Sequence, residues 1–464
     1  MKSRMNPVPH RRGIRRFIGM RIPGAGTHAL SIGKRLPRWE PTTTVDRVTA
    51  TEQTPDPTTP DMPGQTGQTG QTGQTGTGQT KQTKVAVVGC GIIGKHHATV
   101  LSRHPAFVVT ALVDPDATAI DAAAQVLAAE GAPAAQGFAP VAEACAGADV
   151  DLVAIATPSG LHVEHGAQAL EAGKHVVIEK PLDVDLAAAR RFAAAAEAAT
   201  GHGQLVSVIS QHRFDPANVA VKTAIEEGRL GTLVSGQAAT TWYRSKPYYD
   251  QASWRGTWAM DGGAVLNQGV HTVDLMRWLL GRPVTVYAQA AHQGHDFLEV
   301  EDTAAATVRF ANGALATIFA TSAAFPGMTT RVTVAGTNGS TVVENDKLGF
   351  FHAGSPVTPD SADGEATSTL GNQRNANQAA DLVDESELAG APGNPNGFVN
   401  GHYRQYDDIA AALASGSQPG VTVNEALLSL ALVRAIYVSA TTGQVVDFDA
   451  LLAGEYDDVV PHID

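Results

Sequence analysis

The 464-residue sequence predicts an α/β domain built on a doubly wound parallel sheet, followed by an α+β domain with a large, mainly antiparallel open sheet. Three observations carry that prediction. From residue 84 to 212, short apolar runs alternate with Ala-rich stretches of helical period, the pattern of successive βαβ units. Directly behind the first apolar run, VAVV at 85–88, Gly89, Gly91 and Gly94 stand in G-x-G-x-x-G spacing. Beyond residue 213, period-two runs rich in β-branched residues take over, separated by turn signals such as Ala311-Asn312-Gly313 and Asn338-Gly339.

The elements follow in order. Helical stretches at 93–103, 117–130, 162–173 and 185–200 connect the strand patterns VAVVG, VVTALVD, DLVAIAT, HVVIEKP and LVSVI, which places a Rossmann domain at 84–212. A helix at 215–228 opens the second domain, 213–450. A longer helix at 263–280 precedes most of its strands, which are expected to run as an antiparallel meander. Residues 355–400 are rich in Gly, Pro, Asn and Asp and read as a surface loop, and amphipathic helices at 402–415 and 423–441 follow. Residues 451–464 are expected to be a C-terminal tail.

Residues 1–83 have a different composition. GQT repeats from Gly64, and the Thr, Pro, Gly and Gln content cannot bury enough apolar surface to offset ordering the backbone, so a disordered extension is expected. Eleven Lys and Arg against Glu40 and Asp46 give residues 1–50 a charge of +9. Taken from the total of −13, that leaves −22 on the remainder, a balance that argues against a nucleic-acid groove. RRGIRRF at 11–17 is not followed by a continuous apolar region, since Arg21 and Pro23 interrupt it, so neither an export signal nor a membrane span is expected. A true start near Met62 is the alternative reading of this segment. Two cysteines, Cys90 within the glycine loop and Cys145, fit a reduced, cytoplasmic compartment.

In the first βα turn, Gly89, Gly91 and Gly94, with Ile92 and Ile93 opening the helix, would bring backbone N–H groups to a pyrophosphate. Asp114 lies 20 residues past Gly94 at the end of the next strand, where a carboxylate binds adenosine ribose hydroxyls. Pro115 and Asp116 follow it, not Arg or Lys, so a ribose phosphate would meet negative charge. NAD is favoured over NADP.

ATPSGLH at 156–162, AGKHVVIEKP at 172–181 and GGAVLNQGVHTVDL at 262–275 follow the glycine fingerprint in order. With them, residues 84 to 450 resemble the Gfo/Idh/MocA family of oxidoreductases, of the glucose-fructose oxidoreductase and inositol dehydrogenase type. The resemblance implies that Glu179-Lys180-Pro181 is the signature after the fifth strand, with Lys180 reaching the nicotinamide ribose and the substrate hydroxyl. It implies that Thr157, Pro158 and His162 line the cofactor and that His271 is the catalytic histidine. It also implies a homodimer or homotetramer. Where the family usually has Asp, this chain has Asn267, which cannot supply negative charge but can hydrogen-bond a hydroxyl. On one continuous helix, Asn267, His271 and Asp274 would share a face, and Asp274 is expected either to be a structural hydrogen-bonding residue or to orient the imidazole.

Gln211, Arg213, Tyr243, Arg244, Trp254, Arg255 and Trp258 are further candidates for the substrate pocket, since sugars stack on indoles and Arg pairs with carboxylates or phosphates. His96 and His97 acquire no chemical role from the sequence. No metal motif of zinc spacing and no nucleophile elbow is present. The expectation is an NAD-dependent dehydrogenase acting on a CH–OH group of a polyol, sugar or sugar derivative, with His271 as base and Lys180 stabilising the oxyanion. Asn267 and the cations Arg213, Arg244 and Arg255 suggest a nucleotide-sugar dehydrogenase as the alternative. A non-catalytic dinucleotide sensor is the rival from another class.

One outcome rests on the low-complexity extension. A chain beginning at Lys81 is expected to keep its melting temperature and turnover, because residues 1–80 carry no core-forming pattern. Unfolding of that shortened chain in a thermal melt would contradict the boundary.

Overall fold

A computed structural model describes residues 81–354, 377–392 and 396–463. The expectations for residues 1–80, and for 355–376 and 393–395 of the surface loop, lie outside the described residues.

The first layer alternates as the sequence requires: β1 (Thr83–Val88), α1 (Ile92–Arg103), β2 (Phe107–Val113), α2 (Ala117–Ala129), β3 (Gln136–Phe138), α3 (Val141–Gly147), β4 (Leu152–Ile155), α4 (His162–Glu171), β5 (His175–Ile178), α5 (Leu186–Gly201) and β6 (Val206–Val208). Its strands form one parallel sheet in the order β3-β2-β1-β4-β5-β6. The reversal of direction lies between β1 and β4, above which such sheets bind ligands. Both faces of β1 and β4 are buried, which is why these strands read as unbroken apolar runs. β3 and α3 are additions to the predicted elements; they are short and lack a sustained apolar period.

The second part comprises α6 (Pro216–Glu226), β7 (Leu233–Thr241), a short α7 (Lys246–Tyr249), α8 (Val270–Leu280), β8 (Pro283–Ala291), β9 (Thr303–Phe310), β10 (Leu315–Thr321), β11 (Thr330–Gly336), β12 (Gly339–Glu344), β13 (Lys347–Ala353), α9 (Gly397–Ser415), α10 (Val423–Thr442), β14 (Val446–Asp447) and α11 (Phe448–Ala453). Its eight strands form a sheet in the order β13-β12-β11-β7-β10-β9-β8-β14. Most pairs are antiparallel, but β7 and β10 run parallel, so the expected simple meander is corrected. α8 and α10 cover one face, while the other exposes Val234, Tyr287, Leu315 and Phe319. α10 is long and apolar enough to cross a membrane, yet 67% of its apolar window is buried, as in a core helix.

Three further expectations change. The helix over 263–280 is two pieces, a π-helical turn Ala264–Gln268 and then α8, so Asn267 does not share a regular helical face with His271 and Asp274. α9 packs on α1, and its Tyr406, Ile409 and Ala412 join Val85, Leu101 and Phe107 in one cluster, so a segment assigned by sequence to the second domain completes the core of the first. The described part of the expected tail, residues 451–463, is not loose: Leu451 is buried, Arg190 pairs with Asp457, and Arg434 donates to the Val459 carbonyl.

Candidate functional site

The glycine loop is built by steric necessity at two positions. Gly89 has φ +88°, and a Cβ there would stand 2.6 Å from the Ala156 carbonyl oxygen; one at Gly94 would stand 1.7 Å from the Gly89 oxygen. The loop therefore hugs β4, and α1 starts tight against the turn. Gly91 faces open space, Ile92 is 65% exposed, Ile93 is half-buried, and no side chain caps α1, so its first N–H groups are open to an anion. Asp114 braces this loop: one carboxylate oxygen accepts from Cys90 N–H (2.8 Å) and the other from Asp116 N–H (2.9 Å). The open N–H groups and the Asp114 carboxylate fit a dinucleotide. Burial pushes the Cys90 thiol up to about 12, so it is not a nucleophile.

Glu179 has a different place from the one expected. It is buried, and its Oε1 accepts from His97 Nε2 (2.9 Å) and His402 Nε2 (3.0 Å), while Oε2 accepts the Lys180 backbone N–H (2.9 Å). Burial alone would raise this carboxyl, but the two imidazoles hold it well below the ordinary carboxylate range. Its oxygens are consumed inward, so its assignment to the cofactor is corrected: it joins α1, the strand-end loop and α9. His97, for which no chemical role was expected, continues the network through Nδ1 to the Tyr406 hydroxyl (2.8 Å).

His162 is also corrected. Its ring nitrogens lie 2.7 Å from the Pro181 carbonyl oxygen and 2.9 Å from that of Thr157, which ties the loop after β4 to the loop after β5 and leaves no free polar atom for a cofactor. Burial lowers its pKa. Thr157 Oγ1 meets His165 Nδ1 at 3.3 Å, and Pro158 leads into the turn Ser159–Leu161. A Cβ on Gly160 would strike the Ala259 carbonyl oxygen, so this loop abuts the second part of the chain.

Lys180 and His271, brought from β5's end and from α8, line one small cavity with Ser210, Asp274 and Ser429. Burial lowers the Lys180 pKa, with Glu179 and Asp261 opposing and Arg244 and Arg255 reinforcing. Burial, then His212 and Lys180, hold the His271 imidazole well below its ordinary pKa, so it is neutral near pH 7. Asn267 donates its amide to Asp261, whose other oxygen accepts Gly256 N–H at 2.7 Å. Asp261 thus places a carboxylate beside the position where the resemblance led us to expect one. Asp261 directly precedes Gly262-Gly263, yet no spacing of its own marks it in the sequence.

Two other candidates leave the cleft. Arg213 is buried and grips Asp274 bidentately, Nε to Oδ2 at 2.8 Å and Nη2 to Oδ1 at 2.6 Å, and it reaches Glu425 at 2.9 Å. Ser429 donates to Asp274 Oδ1 at 2.6 Å. Arg213 is therefore a strut between the 3-10 turn Gln211–Phe214, α8 and α10 and not a substrate ligand, and Asp274 is spent on it and does not orient His271. Gln211 is buried as well, with Nε2 3.4 Å from His212 Nε2 and Oε1 without a partner.

Arg244 and Arg255 lie among aromatic rings. Arg244 stacks on Trp242 (4.8 Å) and Tyr248 (5.2 Å), and Arg255 on Tyr248 (4.3 Å) and Trp254 (5.0 Å). Both Nε atoms are buried without a hydrogen-bond partner. Tyr243 is 37% exposed and lies edge-on to Phe325, while Trp258 packs on the buried Tyr437. Two side-chain groups also have spacings compatible with a cation, His97/Glu179/His402 and His212/Asp215/Asp346, where the sequence offered no metal motif. In the first, the two imidazole hydrogen bonds to one carboxylate already account for the geometry.

Comparison with known proteins agrees with this architecture. Residues 83–209 match the family model described as an oxidoreductase family with NAD-binding Rossmann fold, and residues 218–342 match the GFO/IDH/MocA C-terminal domain. An uncharacterized oxidoreductase, YrbE of Bacillus subtilis, is 31% identical over 56% of this chain and 73% of its own length. The inositol 2-dehydrogenase of Rhizobium meliloti is 29% identical over 56% and 75%. The crystal structure of the WlbA dehydrogenase from Bordetella pertussis in complex with NADH and UDP-GlcNAcA superposes with a TM-score of 0.65 at 30% identity, covering 79% of this chain and 98% of that one.

The Arg213 strut gives a direct test. Arg213→Met leaves Asp274 buried without its guanidinium and is expected to cost about 3–5 kcal/mol in urea unfolding, with little change in KM for the folded fraction. Unchanged stability with a tenfold or larger rise in KM would return Arg213 to the substrate.

Proposed function

The chain belongs to the Gfo/Idh/MocA family of oxidoreductases, a family of dehydrogenases acting on CH–OH groups, and from that premise we propose that it transfers hydride between NAD and a sugar, polyol or sugar derivative. The observation that carries this reading is the convergence of Lys180 and a neutral His271 on one cavity at the carboxyl end of the parallel sheet. The bound nicotinamide supplies the hydride acceptor. His271 takes the hydroxyl proton, and the Lys180 ammonium donates to the oxygen as alkoxide character develops. Asn267, anchored by Asp261, holds the hydroxyl between them. Asp114, with the α2 cap Asp116 beside it, disfavours a ribose phosphate and supports NAD over NADP.

The unpartnered Nε atoms of Arg244 and Arg255 favour a second reading, in which the substrate carries an anion as a nucleotide-linked sugar does. Likeness to a dehydrogenase crystallised with UDP-GlcNAcA points the same way. The exposed apolar sheet face supports a homodimer or homotetramer, and two free, buried cysteines fit a cytoplasmic location.

A panel of polyols, aldoses and nucleotide sugars, followed by NADH absorbance with NAD and with NADP, tests the reading. His271→Ala and Lys180→Ala are each expected to lower turnover by a factor on the order of 100 with NADH affinity nearly unchanged, since neither touches the pyrophosphate loop. Because His271 must be neutral and its pKa is depressed, turnover is expected to persist below the ordinary imidazole pKa of 6.5. Undiminished turnover of folded, NADH-bound His271→Ala would remove it as base, and a panel with no turnover at all would leave the dinucleotide sensor.

A further inference from the structure

His212 precedes Arg213 in the turn between β6 and α6. Its ring meets that of His271 edge to face, with centroids 4.6 Å apart and planes at 83°. Its Nδ1 lies 2.8 Å from Asp215 Oδ2 and 3.0 Å from Asp346 Oδ1. Two carboxylates converging on one N–H repel each other unless a cation stands between them. Asp215, at the start of α6, is also gripped by Arg404 of α9 at 2.7 Å; burial raises its carboxyl above the ordinary carboxylate range, with His212 and Arg404 opposing.

At the other edge of the ring, Gln211 Nε2 lies 3.4 Å from His212 Nε2, and its own buried Oε1 has no partner.

Asp346 is held in place by a two-residue hairpin turn. It and Asn345 join β12 to β13 with φ of +63° and +46°, the left-handed pair that such turns use and that Asn and Asp adopt readily. Asn345 Oδ1 accepts Thr330 N–H at 3.0 Å and fixes the turn so that the Asp346 carboxylate meets His212.

We propose that His212 is a positioning residue for His271: a permanent imidazolium, clamped between Asp215 and Asp346, that sets the ring of the base and keeps it in its proton-accepting form. This rests on the reading of His271 as the base. Burial opposes charge on His212, but Asp346 and Asp215 overcome it and raise its pKa to about 10. The other charged groups facing the pair are Lys180, Glu179 and His402 around His271, and Arg404 and Lys347 behind Asp215 and Asp346. Lys347 is itself paired with Glu387 at 2.8 Å. A cation in ring contact lowers the pKa of His271, so the acid limb of the rate profile lies at lower pH with His212 charged than without it.

The test uses the full chain and two readouts. In His212→Gln, the acid limb of kcat/KM is expected to move up by about one pH unit, the order expected for losing a like charge at this range. His212→Arg keeps the charge and is expected to hold the limb near its original position. The His271 ring, assigned by NMR with labelled histidine, is expected to titrate higher in His212→Gln and not in His212→Arg. A His271 shift without movement of the kinetic limb supports the coupling and removes His271 as the base, so the two ideas fail separately. Equal His271 titration in all three proteins, or equal shifts in the Gln and Arg variants, overturns the proposal. Should His212→Gln not fold, the His212 resonance of the unaltered protein decides: an imidazolium through pH 8 is expected, and ordinary titration near 6.5 overturns it.

Discussion

The buried Glu179 carboxylate is the point on which the arrangement depends. It ends β5, accepts an imidazole N–H from α1 and another from α9, and takes the N–H of the lysine that follows it. A carboxylate enclosed without partners would be very costly, and removing one partner from such a cluster leaves a charge uncompensated. Because each donor comes from a different element, satisfying Glu179 also fixes where α9 docks on the nucleotide domain and where Lys180 begins. The position of the ammonium in the cleft follows from that constraint.

A division of labour among polar residues emerges from which groups have partners. Glu179, His162, Arg213 and Asp274 are engaged with partners inside the protein. Arg244 and Arg255 retain unpaired guanidinium nitrogens beside aromatic faces. Lys180 and His271 have depressed pKa values in a shared cavity, the condition expected of groups that exchange protons or stabilise charge in a reaction.

Much of the fold was legible because its signals are local. Buried strands between helices leave apolar runs, the close approach at Gly89 and Gly94 demands glycine, and one-sided sheets leave alternation. What escaped depends on contacts distant in sequence. Nothing near residue 402 announces that its histidine meets Glu179, 223 residues away, and only the tertiary structure shows that α9 returns to α1. Asn267, His271 and Asp274 looked coplanar on an ideal helix, but the π-helical turn before α8 alters the phase. Arg213 read as a pocket residue because polar side chains near a motif suggest ligands, whereas here it neutralises Asp274 in a buried contact. Asp261 and His212 were hidden for a related reason: each acts beside a recognised residue, and neither has a spacing of its own.

The central claim, that Glu179 couples the docking of α9 to the placement of Lys180, is tested most directly by hydrogen exchange and turnover measured together on Glu179→Gln. The replacement keeps shape and removes charge. The account expects faster amide exchange along residues 400–412 together with a fall in turnover on the order of 10-fold or more. Unaltered protection of α9 alongside unaltered turnover would show that the carboxylate is not the element that joins them.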